Sequence, residues 1–180
     1  ADLFYRCYLD YDRARPELAL AQRALPNNAQ VLALTSFIDR RQSRWHEAIQ
    51  NLERALGLDP RNWYYLQQLS LSYHFLRRYA DEATALDRVN AIVPEDLVSR
   101  VARAWVEVEW KADTRPLHNT IEPILKQSPA ALASFDQYYL GLAMYDRDFK
   151  AAEDAIVAMP AQGLGTDQVM LPVSFWKGLT

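Results

Sequence analysis

Of 180 residues only Cys7 is a cysteine. An intrachain disulfide and a cysteine-based zinc site are therefore excluded, and a reducing compartment, the cytoplasm, fits. Glycine is nearly as scarce, at 5 residues, while alanine and leucine abound, which favours helix over a β-sandwich. No apolar run approaches the roughly 18–20 residues that span a bilayer, so no membrane association is expected. A basic excess is missing too: 20 Lys and Arg stand against 23 Asp and Glu. That balance argues against nucleic acid, whose binding proteins carry a basic face. The three histidines, His46, His74 and His118, share no ligand spacing, so neither a metal nor a cofactor is expected. There is no nucleophile elbow, P-loop or dinucleotide fingerprint. Glu47, Glu53, Glu82 and Asp87 read as solvated charges on outer helix faces, and Cys7 as a small core residue. No catalytic pair is assigned, and the chain is not expected to be an enzyme. It opens Ala1-Asp2-Leu3-Phe4-Tyr5-Arg6, with no initiating Met and no signal peptide, and is expected to be a piece of a longer protein.

What the sequence does have is self-similarity. The segment Arg44–Pro60 rhymes with Arg78–Pro94: Trp45 and Tyr79, Leu52 and Leu86, Ala55 and Val89, Pro60 and Pro94 are each 34 residues apart. Pro26 lies 34 residues before Pro60. Three prolines in register, each closing an amphipathic helix, mark an internal repeat. Apolar periodicity predicts the tail of a helix over 3–10, a helix to about Leu25 capped by Asp12 with Pro16 in its first turn, and helices over 29–41, 63–76, 79–92 and 97–111. Ser43 or Arg44 opens the helix that ends near Leu58. Asn28 and Asn62 are the expected N-caps, and Glu95 and Asp96 suit the start of the 97–111 helix. Thr114 is expected to cap a helix with Pro116 in its first turn and Pro123 kinking or fraying it. One long aromatic helix is expected over 130–146 and its partner from Phe149 to about Met159. A loop over Pro160–Gly165 and a further helix from about Pro172 complete the chain.

These residues resemble the tetratricopeptide repeat. The family's pattern of bulky, small and tyrosine positions on helix A, then Ala, apolar, Ala and Pro on helix B, falls on Leu32, Thr35, Ser36, Asp39, Ala48, Leu52, Ala55 and Pro60. In the next repeat it falls on Leu66, Leu69, Ser70, Tyr73, Glu82, Leu86, Val89 and Pro94. Glu82 departs from the small-residue rule, and adjacent Ala83 could take its place. In the fourth repeat Trp105 and Leu117 occupy two small-residue places, so its helices are expected to splay. In the fifth, Leu140-Gly141 recovers the signature, faced by Ala152, with an inter-helix turn one residue short. The resemblance implies an all-α, right-handed α-solenoid of antiparallel pairs, about 10–11 helices. It would be a single domain over 1–180 with repeats near 1–26 (partial), 29–60, 63–94, 98–129, 134–160 and 172–180 (partial), taken from a longer array in a bacterial multidomain protein.

Resemblance also implies a site. The family's A helices line a concave groove, and the matching places give Phe37, Arg40 and Arg41, then Tyr64, Gln67, Gln68, Leu71, His74 and Phe75. Arg103 and Trp110 follow in the fourth repeat, and Tyr138, Tyr139 and Tyr145, with Phe135 and Leu142, in the fifth. Some co-chaperones hold a C-terminal carboxylate with Lys and Asn from these helices. The corresponding places here are Ala33, Phe37, Gln68, Ser99 and Arg103, of which only Arg103 fits, so that clamp is not expected. The implied function is a protein-interaction scaffold binding a partner peptide or helix. The alternatives are self-association, or a regulatory contact within a larger signalling protein that binds no external ligand. The aromatics would then be packing residues.

Overall fold

The computed structural model describes residues 1–2 and 4–158. The expected loop over Pro160–Gly165 and the helix from about Pro172 lie outside the described residues. The chain divides into two compact units, Ala1–Val93 and Pro94–Thr180. No strand occurs among the described residues, and no described helix is long and apolar enough to cross a membrane.

The first unit opens with one π-helical turn, Phe4–Tyr8, followed by α1 (Tyr11–Ala24), α2 (Ala29–Arg41), α3 (Trp45–Leu58), α4 (Trp63–Phe75) and α5 (Tyr79–Ile92). Helices α2 with α3 and α4 with α5 pack as pairs. The second unit holds α6 (Leu97–Lys111), α7 (Arg115–Gln127), a 3₁₀ stretch Pro129–Ser134, α8 (Asp136–Asp146) and α9 (Phe149–Ala158). Here α6 pairs with α7 and α8 with α9.

Local chemistry sets these boundaries. A residue before proline is pushed out of the helical region, and Leu25, Asp59 and Val93, which precede Pro26, Pro60 and Pro94, hold ψ near 67°, 77° and 71° and end their helices. The following helices start on side-chain caps: Asn28 accepts from Val31 N, Asn62 from Tyr65 N and Asp96 from Ser99 N. The turn inside each pair carries one left-handed residue: Leu9, Ser43, Arg77, Ala112 and Arg147. Their spacing of 34, 34, 35 and 35 writes the repeat into the backbone. The last turn, 147–148, is one residue shorter than 42–44, 76–78 and 112–114.

Apolar periodicity becomes core. Leu32, Leu52, Ala55, Leu66, Leu69 and Val89 are buried together in the first unit, with Ala14, Leu18 and Ile38 beneath α1. In the second, Val101, Leu117, Ile121, Phe135 and Leu142 form one cluster, and Ala143, Ala152 and Ile156 another. Helices α6 and α7 make fewer close backbone approaches than the pairs before them. Leu117 is fully buried between them, and a bulky side chain at a small-residue place holds two backbones apart.

Several expectations are corrected. Asp10, not Asp12, caps α1, so Pro16 lies past the first turn, inside the helix. Thr114 makes no side-chain cap; Asp113 accepts from Arg115 N at 3.1 Å instead. Pro123 lies inside α7 as expected, and the helix continues past it to Gln127. The predicted helix over 130–146 is a 3₁₀ stretch and then α8, because Phe135 leaves helical geometry (φ −140°, ψ 29°) to bury its ring. Cys7 is exposed rather than core. Glu82 is buried beside Ala83 rather than solvated, and its carboxylate faces His74 of α4.

Trp105, partly buried against the core of the second unit, lies on α8. A Cβ added to Gly141 would stand 2.5 Å from Trp105 Cη2 and 2.9 Å from its Cζ3. The indole cannot swing away freely, because it meets the rings of Tyr138 at 5.9 Å and Tyr145 at 6.0 Å. Gly141→Ala should therefore cost about 1–3 kcal/mol by overpacking, although alanine is the better helix former by about 1 kcal/mol. Adding Trp105→Leu should recover most of that loss in urea denaturation. A stabilised Gly141→Ala would show that the indole does not need the hole.

Candidate functional site

Helix α4 is apolar on two sides. Leu66, Leu69 and Tyr73 are buried, while Tyr64 (40 % exposed), Leu71 (38 %) and Phe75 (60 %) stand on the surface. Between Trp63 and Phe75 there is no Asp, Glu, Lys or Arg. A helix hydrophobic all round is normally buried all round.

Its neighbour on this face is α2. The Phe37 ring, itself buried, meets Tyr64 edge-on at 6.0 Å and Tyr5 at 6.2 Å. Gln30, Ala33, Leu34, Phe37, Tyr64 and Tyr65 line a cleft of about 330 Å³, at the lower end of ligand-pocket sizes. Burial raises the Tyr65 phenol above its usual range, with Asp59 adding to the effect. One turn along, Arg40 donates from Nη1 to the Gln68 carbonyl at 3.1 Å and from Nη2 to Gln68 Oε1 at 2.6 Å. Its guanidinium also stands over the Phe37 ring, 5.9 Å from the centroid. Burial lowers the Arg40 pKa.

The far end of α4 is different in kind. Phe75 leans on Trp45 at 5.4 Å and on His74 at 5.6 Å. His74 Nδ1 lies 3.3 Å from Glu82 Oε1, the carboxylate that stands at a small-residue place. Gln67 is half-buried and Arg41 exposed.

Beneath this face the second and third repeats solve one problem in two ways. Asp39 occupies the tyrosine place of its repeat and is 3 % exposed. Arg15 donates to its Oδ1 at 2.7 Å, Asn51 donates to its Oδ2 at 2.9 Å, and Arg44 Nε lies 3.4 Å away. Gln42 links the arginines, accepting from both Arg15 and Arg44. In the next repeat Tyr73 fills that place, Arg78 stacks on its ring at 4.6 Å, and its hydroxyl donates to Glu53 Oε1 at 3.0 Å.

Burial, followed by the Glu53 contact, pushes the Tyr73 phenol up to about 12, from about 10 in an unfolded chain. A raised folded-state pKa means stability that is whole below the unfolded value and lost as pH climbs through the folded one. Stability should therefore fall between about pH 10 and 12, and Tyr73→Phe should flatten that fall. Phenolate absorbance and helical ellipticity followed together would check it. Equal pH dependence in both proteins would contradict it.

In the second unit the expected residues are less concentrated. Arg103 reaches forward along α6 to Glu107 at 3.1 Å, and Lys111 stands over the Trp110 ring at 4.5 Å. Tyr138 and Tyr145 flank Trp105; Tyr139 packs against the core, where burial raises its pKa. Phe135 and Leu142 are core, not surface. At the end of α8, His118 Nε2 meets Asp146 Oδ2 at 2.8 Å and its Nδ1 lies 3.4 Å from Glu122 Oε1.

The structure thus brings Phe37, Arg40, Tyr64 and Gln68 into one contact set, with Leu71, His74 and Phe75 along the same helix and Arg41 one residue beyond Arg40. Trp110, Arg103 and Tyr139 join no such set. Tyr65 and Asp2, not selected from the sequence, also line the cleft, and Tyr5 meets the Phe37 ring. Tyr65 lies one residue from a chosen position, and Asp2 and Tyr5 belong to the partial first repeat, where the pattern is weakest.

No family model matches the sequence, and no curated protein matches it. Solved structures do match in shape. A crystal structure of MamA superposes with a TM-score of 0.65 at 15 % identity, covering 97 % of this chain and 95 % of that one. A tetratricopeptide repeat protein from Parabacteroides merdae gives 0.72 at 16 % identity, over 98 % of this chain and 73 % of that one. A further MamA structure gives 0.63 at 18 % identity and 85 % coverage of both chains. The fold is that of the tetratricopeptide repeat, an architecture whose stacked helices offer extended binding surfaces.

Proposed function

We propose that this chain is a protein-interaction module and that a partner peptide or helix docks on the surface built by α2 and α4. One observation carries the reading: α4 has a second apolar side, free of charge, that exposes Tyr64, Leu71 and Phe75. Exposed aromatic clusters with arginine beside them are what interfaces use as anchors. The half-buried cleft beside Phe37 supplies a pocket for one side chain, and pockets of this kind surround interface hot spots. The net charge of −3 supports a protein partner over nucleic acid, and the single, exposed cysteine suits a cytoplasmic setting.

Selection from a random peptide library displayed on phage tests the reading. Wild-type protein should enrich apolar, aromatic sequences, and the Tyr64→Ala/Phe75→Ala protein should not. Equal enrichment by both would remove this face from the function. A stable dimer in concentration-dependent light scattering, broken by the same double substitution, would replace peptide docking by self-association.

A further inference from the structure

Arg40 has a property that apolar docking leaves unused. Its guanidinium is half-buried and every partner it has is neutral: the Gln68 carbonyl, Gln68 Oε1 and the Phe37 ring. Among the described residues it forms no ion pair. Burial is the main cause that disfavours its protonated form; Arg41, of the same sign, adds to it, and Tyr5 and Tyr64 act the other way. Desolvated charges in proteins are normally compensated by an opposite charge. Asp39, one residue before it, shows the ordinary solution, a carboxylate served by Arg15 and Asn51 with Arg44 alongside. Arg40 instead is held in place by hydrogen bonds and ring contact without being neutralised. A guanidinium fork fixed in this way, with donors left over, is suited to a carboxylate.

We infer that Arg40, with Arg41 beside it, receives an acidic side chain of the partner, while the partner's apolar residues lie along Tyr64, Leu71 and Phe75. The partner is then an acidic, apolar segment, a peptide or helix with Asp or Glu set among leucines and aromatics. This rests on the docking reading above and adds a charge requirement to it.

Four synthetic peptides provide the probe. They share one apolar face of Leu and Phe and differ at a single central position: Glu, Gln, Lys or phosphoserine. Fluorescence anisotropy at low salt should show the Glu peptide binding about tenfold tighter than the Gln peptide, the size expected of a charge-assisted fork, and the Lys peptide weaker than both. Salt should erode that margin. In Arg40→Gln the Glu-over-Gln margin should fall to about twofold or less while binding of the Gln peptide persists, because the apolar contacts are untouched. Arg40→Lys should sit between, since it keeps the charge and loses the fork. Arg41→Gln, an exposed change that spares the Gln68 contacts, gives a second and smaller reduction if Arg40→Gln is poorly folded. Equal binding of Glu and Gln peptides overturns the inference and leaves the docking reading standing. So does a margin that survives in Arg40→Gln. Tenfold tighter binding of the phosphoserine peptide than of the Glu peptide overturns the carboxylate assignment in favour of phosphate. Binding by none of the four overturns the inference, whereas the docking reading falls only if the display selection fails as well.

Discussion

Asp39→Ala should cost about 2–4 kcal/mol of folding stability, more than any single surface change in this chain. The carboxylate is buried at the meeting point of α1, α2 and α3, with Arg15 and Asn51 donating to it and Arg44 within ion-pair distance. Removing it leaves two guanidinium groups and an amide facing a hole. Stripping one side of a buried pair costs more than the pair contributes, because the survivors have lost water and gained nothing. The figure sits below the upper range for buried pairs because Arg15 and Arg44 retain 30 % and 40 % side-chain exposure and can be partly resolvated. Asp39→Asn keeps the shape and one acceptor and should lose about half as much. Urea denaturation reads both. A loss under about 0.5 kcal/mol for Asp39→Ala would mean that the network is no stronger than an exposed salt bridge.

The second large effect is on binding. Tyr64→Ala and Phe75→Ala together should weaken a peptide selected on the wild-type protein by about a hundredfold or more, the scale of two aromatic anchors lost from one interface. The melting temperature should fall by only about 2–4 °C, since both side chains are already in contact with solvent and each change removes a ring contact rather than a core residue. For Phe75 that contact is Trp45, and for Tyr64 it is the edge of Phe37. A melting temperature that collapsed with unchanged affinity would assign both to packing. Ring-for-ring replacement, Phe75→Tyr, should leave both readings near wild type.

The repeat was legible because its grammar is local. Prolines at a fixed interval, asparagine caps three residues before the amides they serve, and apolar residues at helical spacing each act within one turn of chain. They placed α2 to α6 to within a residue or so. Where the sequence misled, the deciding contact came from elsewhere in the fold. Phe135 breaks the predicted helix because its ring joins a core built largely by α6 and α7. Glu82 is buried against His74, eight residues earlier on another helix. Trp105 is an ill-fitting residue in its own repeat and a well-fitted one against Gly141 of the next. Gly141 looked like a signature residue for its own helix pair, so nothing short-range linked the two.

The face was legible in part for the same reason. Counting positions along each A helix selected Phe37, Arg40, Tyr64 and Gln68, and the structure sets them against each other. Counting could not show that Gln68 is committed to Arg40, nor that Phe37 lies beneath the surface. It also could not show that Tyr138 and Tyr139 both pack on the core of the second unit, Tyr138 meeting the Trp105 ring as well. Asp39 showed itself only as a residue that broke the family pattern, and its partners are 24 and 12 residues away in sequence.

Hydroxyl-radical footprinting of the wild-type protein, with and without a peptide from the display selection, addresses the central claim most directly, because it reads side-chain exposure residue by residue. Docking on α2 and α4 predicts that Tyr64, Leu71 and Phe75 lose reactivity on binding, while Leu20 of α1 and Leu58 of α3, equally exposed but on other helices, keep theirs. Protection of Leu20 and Leu58 with Tyr64, Leu71 and Phe75 unchanged would contradict it.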